Sequence, residues 1–498
     1  MDFLLFFQNH FKGFFPEIFL SISICLLLIF GVVYTTSLQY NKVILIKTIN
    51  WLSIQTLIIT ILLIINNPVN NLVIFNNLLI IDTFSNIIKV IVCISTICCI
   101  LLSFEYIKDE KLYAFEYSIM LLLAFLGVLL IASSYNLLSL YLAIELQSLA
   151  LYVMAAFKRN TKFSTEAGLK YFILGALASG FLLIGCSLMY GFTGLTSFND
   201  LAQLFGNLNV YEDGVSEGIV LALIFITIAL LFKLAAVPFH MWAPDVYEGA
   251  PTTVTAFFAI VPKIAIFGLL IRFLSHTFYN LIDYWQDILF FAAVATMIVA
   301  TFAALEQKKI KRFLAYSAIG HTGYILIGII SGTPTGIQAS LIYLIIYIIM
   351  SIGIFSIVLS LRNEITNTKI KYLSDLHNLG YTNPLLAISL ATILFSMAGI
   401  PPLAGFISKL YIFISAIDAS MYLLAIIGVC MSVVGSVYYI RLIKIMYFEK
   451  MYNYTFYKTM DREKSILIAL SIMFIIGFFF NPAPLLILTH KCTMLLCL

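Results

Sequence analysis

Charge is scarce in this chain. Asp, Glu, Lys and Arg make up only 10% of its 498 residues, against 62% hydrophobic residues. That balance excludes a soluble domain of this length and leaves a polytopic membrane protein. Excess positive charge is lacking too: 28 basic residues stand against 24 acidic ones, which supports no nucleic-acid partner. The eight cysteines form no CxxC pair and no Cys/His metal spacing. Most lie in apolar stretches and read as small hydrophobes. The six histidines are scattered. The expectation is a chain with no metal, cluster or cofactor site of its own. A secretory leader is lacking as well: the apolar run after Phe14-Phe15-Pro16-Glu17 has no basic n-region and no A-x-A site, so it reads as a retained first helix.

What is present is length of apolar run. A span needs about 20 apolar residues, and fourteen candidates can be placed, near 17–36, 43–65, 85–104, 116–133, 136–157, 167–191, 218–241, 252–275, 286–305, 312–331, 338–360, 385–413, 421–446 and 465–489. Backbone groups cannot face lipid unpaired, so each is a helix and the fold class is all-α. Loops after odd-numbered helices hold 20 of the 28 basic residues. Loops after even-numbered ones hold almost none, and the 192–217 loop is acidic, with Asp200, Glu212, Asp213 and Glu217. By the positive-inside rule the odd loops face the cytoplasm or matrix and both termini face the other side. The basic run "EQKKIKRF" (306–313) reads as a solvated inner loop.

Eight basic residues remain. Lys12 and Lys491 lie near the termini; Lys89, Lys170 and Arg272 lie near helix ends, within snorkelling range. Lys233, Lys263 and Lys409 cannot snorkel easily, and a single acid, Glu145, matches them. A charge at the bilayer centre costs about 2.5–3.5 kcal/mol, so four unpaired ones would cost roughly 10–14 kcal/mol. They should face the bundle interior, water or one another. Three lysines cannot all pair with one carboxylate, which favours ion transport over a structural tie. A desolvated lysine releases its proton readily, and a nearby carboxylate holds it on. A Lys–Glu pair in a wet interior is therefore a switchable proton site.

Two of these lysines stand beside helix breaks. In "LLFKLAAVPFHMWAPDVYEGAP" (230–251) Pro238 removes a backbone donor and should free carbonyls near Leu234 and Ala235, and Lys233 sits one turn before that break. In "FSMAGIPPLAGFISKLYIF" (395–413) Gly399, Pro401, Pro402 and Gly405 interrupt an apolar run and Lys409 follows. Paired interruptions at corresponding places point to inverted repeats around a midplane ion path. Helices 4–8 and 9–13 form the two repeats, the second entering from the opposite side, with helices 7 and 12 broken. The expected parts are residues 1–110 (helices 1–3), 111–280 (first repeat), 281–450 (second repeat) and 451–498 (last helix). His240 follows the first break as a cap or a relay. His321, in "YSAIGHTGYILIG" (316–328), suits proton relay because its pKa lies near neutrality.

Over essentially its full length the chain resembles the antiporter-like membrane subunits of respiratory complex I, the proton-pumping NADH:ubiquinone oxidoreductase. The stretches that carry the resemblance are "FSTEAGLKYFILGALASGFLLIGCSLMYGFTG" (163–194), "FKLAAVPFHMWAPDVYEGAPTTVTAFFAIVPKIA" (232–265) and "AYSAIGHTGYILIG" (315–328). The first fits the subunit 2 branch, called chain N in bacteria. The resemblance implies fourteen helices with two inverted five-helix repeats, a key glutamate at Glu145, and key lysines at Lys233, Lys263 and Lys409. It implies Glu145 as modulator, Lys233 as switch, Lys263 as central carrier and Lys409 as link onward. FMN, iron–sulfur clusters, NADH and ubiquinone would sit in partner subunits. The implied partners are the neighbouring antiporter-like subunit 4, small membrane-arm subunits and lipids. The implied location is the mitochondrial inner membrane, or a bacterial plasma membrane; the Ile-, Phe-, Asn-, Tyr- and Lys-rich composition fits AT-rich coding in either. The alternatives are a subunit of a multi-chain Na⁺/H⁺ antiporter, a scaffold that pumps nothing, and the related plastid complex.

Overall fold

The computed structural model describes residues 10–37, 42–43, 45–68, 71–110, 112, 114–207, 216–364, 367–449 and 456–497. Lys111, Glu212, Asp213 and Lys450 of the loop argument lie outside them. The helices are α1 (Phe15–Phe30), α2 (Ile46–Ile65), α3 (Thr83–Asp109), α4 (Glu116–Ser133), α5 (Leu137–Ala155), α6 (Lys162–Thr193), α7 (Phe198–Asn207), α8 (Glu217–Leu234) and α9 (Trp242–Gly249). They continue as α10 (Thr252–Arg272), α11 (Ile282–Glu306), α12 (Ile310–Ile330), α13 (Pro334–Ser360), α14 (Pro384–Ala398), α15 (Ala404–Asp418), α16 (Tyr422–Tyr447), α17 (Arg462–Phe480) and α18 (Ala483–Cys497). Thirteen helices among the described residues are long and apolar enough to cross a membrane. The twelfth expected span is the exception. It is two 15-residue halves, α14 and α15, separated at Gly399–Leu403, which brings the total to the fourteen expected. The last expected span is interrupted as well: α17 ends at Phe480, and Asn481 and Pro482 precede α18, because proline supplies no N–H to continue the helix.

The chain divides into two compact units, one comprising Met1–Lys233, Val261–Trp285 and Leu495–Leu498, the other Leu234–Ile260 and Gln286–Met494. In the first, α1 packs on α2 and α4, α2 on α3, α3 on α4, and α4 on α5. Gly127 permits the last approach, since a Cβ there would lie 2.7 Å from Gln147 N. A hairpin of β1 (Leu72–Ile74) and β2 (Leu79–Ile81), paired Leu72 to Ile81, buries Ile74, Leu79 and Ile81 against Phe14, Phe75 and Leu130. Asp82 then caps α3: its Oδ1 accepts from Ser85 N at 2.9 Å, and Ser85 Oγ accepts from Asp82 N at 3.1 Å.

Here two expectations fail. Arg272 does not snorkel. It is buried, donates from Nη2 to both Asp82 carboxylate oxygens at 2.7 Å and from Nη1 to Ala132 O at 3.0 Å, and lies over the Phe84 ring. Lys89 does not snorkel either; its Nζ donates to Glu17 Oε1 at 2.5 Å with both side chains nearly inaccessible. Satisfying each cation inside the bundle replaces the route to water. Glu145 is therefore not the only acid within the apolar spans: Glu17 is 2% exposed.

In the second unit α13 is almost wholly buried, packed by α12, α14, α15 and α17. The basic run 306–313 is not simply solvated. Lys309 pairs with Glu248 of α9, Arg312 lies 2.7 Å from Asp245 Oδ1 and 2.5 Å from Glu248 Oε2, and Lys311 donates to Ala250 O at 2.6 Å. The loop clasps α9 onto the start of α12.

Candidate proton-transfer site

The first unit contains Glu145 on α5, Lys233 at the end of α8 and Lys263 on α10. Lys263 is 4% exposed and follows Pro262 inside its helix. Glu145 is half-buried. Its Oε1 has no hydrogen-bond partner, and Ser148 Oγ lies 3.5 Å from Oε2. Lys233 Nζ is buried and likewise makes no hydrogen bond among the described residues. It lies over the Tyr152 ring, 5.8 Å to the centroid, within cation–π range. The Tyr152 hydroxyl is a third buried polar atom that meets no hydrogen-bond geometry among the described residues. Gly175 of α6 makes room for it, since a Cβ there would lie 2.1 Å from the hydroxyl. Buried polar groups are normally satisfied, so such a cluster is where water binds and a proton can be exchanged.

Tyr152 escaped the sequence reading. Its signal was the seven-residue spacing from Glu145, two helical turns along one face.

In the second unit the break at Gly399–Leu403 explains Lys409. Gly399 caps α14 at φ 85°, and Lys409 Nζ donates to Met397 O at 3.1 Å and Ala398 O at 2.9 Å. These are the last carbonyls of α14, left without partners when the helix stops. The ammonium also meets the negative end of the helix dipole and lies 5.2 Å from the Tyr324 ring centroid. His321 of α12 is 2% exposed. Its Nδ1 is 2.7 Å from Tyr343 Oη and its Nε2 is 3.2 Å from Tyr439 Oη, which is 2.5 Å from Ser317 Oγ. Tyr324 and Tyr343 are ring neighbours at 6.2 Å. A row of hydroxyls and an imidazole thus runs beside Lys409. Ser317, His321 and Tyr324 stand at i, i+4 and i+7 of one face, a spacing present in "AYSAIGHTGY"; their partners on α13 and α16 had no sequence signal. His240 lies in the segment between α8 and α9, half-buried, its Nδ1 without a hydrogen-bond partner. It is not part of the His321 row.

Comparison with known proteins gives the family. A family model described as NADH:quinone oxidoreductase/Mrp antiporter, TM, matches residues 134–435. The chain is similar to NADH-ubiquinone oxidoreductase chain 2 of Marchantia polymorpha, 49% identical over 99% of this chain and 100% of the relative. It is also similar to NADH-quinone oxidoreductase subunit N of Paramagnetospirillum magneticum, 43% identical over 94% of each. Among solved structures, a chain of respiratory complex I from Thermus thermophilus superposes with TM-score 0.78 at 26% identity, covering 95% of this chain and 98% of that one.

Proposed function

Since the chain belongs to the NADH:quinone oxidoreductase/Mrp antiporter transmembrane family, we propose that it is the proton-translocating subunit 2 of the membrane arm of an NADH:ubiquinone oxidoreductase. The observation that carries the mechanism is Lys233: a buried ammonium with no hydrogen bond among the described residues, against the Tyr152 ring, in the unit that also holds Glu145. A cation so placed holds its proton only while the carboxylate favours it. Glu145 modulates, Lys233 switches, Lys263 carries, and Lys409 passes the proton onward or senses the next pump. His321 and its tyrosines serve as relay; His240 serves at the α8 break.

No electron moves through this chain in this reading. FMN, iron–sulfur clusters, NADH and ubiquinone belong to partner subunits. Quinone reduction there changes the charge pairing that reaches Glu145. The neighbours are the antiporter-like subunit 4 and small membrane subunits, with lipid around them. The location is the mitochondrial inner membrane, or the plasma membrane in a bacterial source.

The shared family description keeps one rival, a subunit of a multi-chain Na⁺/H⁺ antiporter. A native gel of mildly solubilised membranes, stained for NADH oxidation and probed for this chain by mass spectrometry, separates the two. The expected result is a very large NADH-active band containing the chain. A smaller, NADH-inactive band whose vesicles exchange sodium for protons would overturn the proposal.

A further inference from the structure

The helices before residue 134 lie outside the matched family segment, yet they contain their own buried acid–base pair. Glu17 and Lys89 meet at 2.5 Å, 2% and 4% exposed. A buried ion pair is weak as a stabiliser, and an intramembrane ionisable group calls for a role. The carboxylate is not saturated by its partner. Lys89 occupies Oε1, whereas Oε2 is buried and has no hydrogen-bond partner.

The surroundings of the pair differ toward its two sides. One turn before Glu17, Phe14 packs into the apolar cluster of Ile74, Leu79 and Ile81 under the β1–β2 hairpin. In the other direction α3 presents Lys89, Cys93, Thr96 and Ser103 on one face, all buried, and α2 presents Thr60, Ser53 and Asn50. Thr60 Oγ1 lies 3.9 Å from Cys93 Sγ, and Asn50 pairs with Ser118 of α4. Lys89 stands one helical turn before Cys93 on α3, which places the pair at the head of this seam. With the positive-inside orientation, Glu17 is at the outer end of α1, and Asn50 and Ser118 are at the inner ends of α2 and α4. Buried polar side chains therefore mark the way from the inner side up to Glu17, while on the outer side the pair adjoins the apolar hairpin cluster, with His10 and Asn67 held by hydrogen bonds beside it.

We propose that Glu17 is a second proton-holding site, filled from the inner face along the Asn50–Ser53–Thr60–Cys93 seam and closed toward the outer face by the hairpin plug. This rests on the proton-translocating reading. A proton arriving by water adds to Oε2, converting Lys⁺/Glu⁻ to Lys⁺/GluH. Nothing else is consumed, and the same proton leaves when the site is read out. The other titratable groups nearby are Lys89, Cys93 and His10, whose Nδ1 already accepts from Phe75 N at 2.9 Å.

The test is infrared spectroscopy of the assembled complex in oriented vesicles, acidified on one side at a time, with proton pumping followed in parallel. Expected is a protonated-carboxyl band that rises on inner-side acidification, vanishes in Glu17→Gln, and appears several-fold more slowly in Thr60→Val. An unchanged carboxyl spectrum in Glu17→Gln overturns the site; a response to outer-side acidification overturns its sidedness. Should an unpaired Lys89 prevent assembly, Glu17→Gln/Lys89→Met removes both charges. Loss of the band in that variant supports the site, and its persistence overturns it. Absence of NADH-driven pumping in the unmodified complex would defeat the proposed function while leaving the band assignment to be read independently.

Discussion

At the scale of single residues, each intramembrane cation has found a different solution. Arg272 takes a bidentate carboxylate and a backbone carbonyl, Lys409 takes the end of a broken helix, and Lys233 lies against an aromatic face. The first is structural in energy as well as position. Burial raises the pKa of Asp82, but Arg272 and the Ser85 hydrogen bonds outweigh it and hold the carboxyl below its usual value. The sign follows. A depressed native pKa contributes stability that is complete above the unfolded value near 3.9 and lost only as pH falls through the lower native one. Asp82→Asn leaves Arg272 buried without its partner, and should cost about 3–5 kcal/mol. Thermal denaturation of the purified complex should show that deficit unchanged from pH 5 to 8; a deficit that grows or shrinks across that window would contradict the pairing. For Lys233 the ring, not the hydroxyl, is the contact. Tyr152→Phe should keep most of the quinone reductase activity and Tyr152→Leu should not, measured at equal assembly.

At the scale of elements, three breaks and one clasp shape the helices. The α14–α15 break needs a residue that accepts φ 85°. Gly399→Ala brings the left-handed penalty of about 1–2 kcal/mol and places a Cβ 2.9 Å from Lys409 Cδ. It should lower both stability and pumping, and restoring pumping by a second-site change at Lys409 alone is not expected. The clasp on α9 is electrostatic. Glu248 faces Lys309 and Arg312, and Asp245 faces Arg312. With Arg312 39% exposed, solvent screens the pair, so a double-mutant cycle of Glu248→Gln and Arg312→Gln should give a coupling of about 0.5–1 kcal/mol. A coupling near zero would mean that the loop serves topology alone, as its sequence first suggests.

For the whole molecule, the two units hold different equipment: a Lys–Glu–Tyr cluster in one, a Lys–His–Tyr row in the other. Coupling to chemistry carried out elsewhere should be visible from either. On the proposed function, with quinone bound by other subunits, Lys233→Ala is expected to lower quinone reduction in the assembled complex, because a proton path that cannot load would hold back the reaction that drives it. Unchanged turnover with unchanged proton stoichiometry would defeat that coupling.

By itself the sequence determined the class, the number of spans, the breaks after Lys233 and before Lys409, and where charge falls inside apolar runs, because each rests on a local property: twenty apolar residues, a proline, a charge where none belongs. Partnership was beyond its reach. Lys89 and Arg272 looked able to reach water, and only tertiary packing set Glu17 and Asp82, 72 and 190 residues away, against them. Tyr152, Tyr343 and Tyr439 became part of the sites in the same way, since a tyrosine among apolar neighbours reads as core until its hydroxyl or ring is seen to face a charge. Burial makes an unpaired ion costly, but which group relieves that cost depends on which helices pack together, and that is decided in three dimensions.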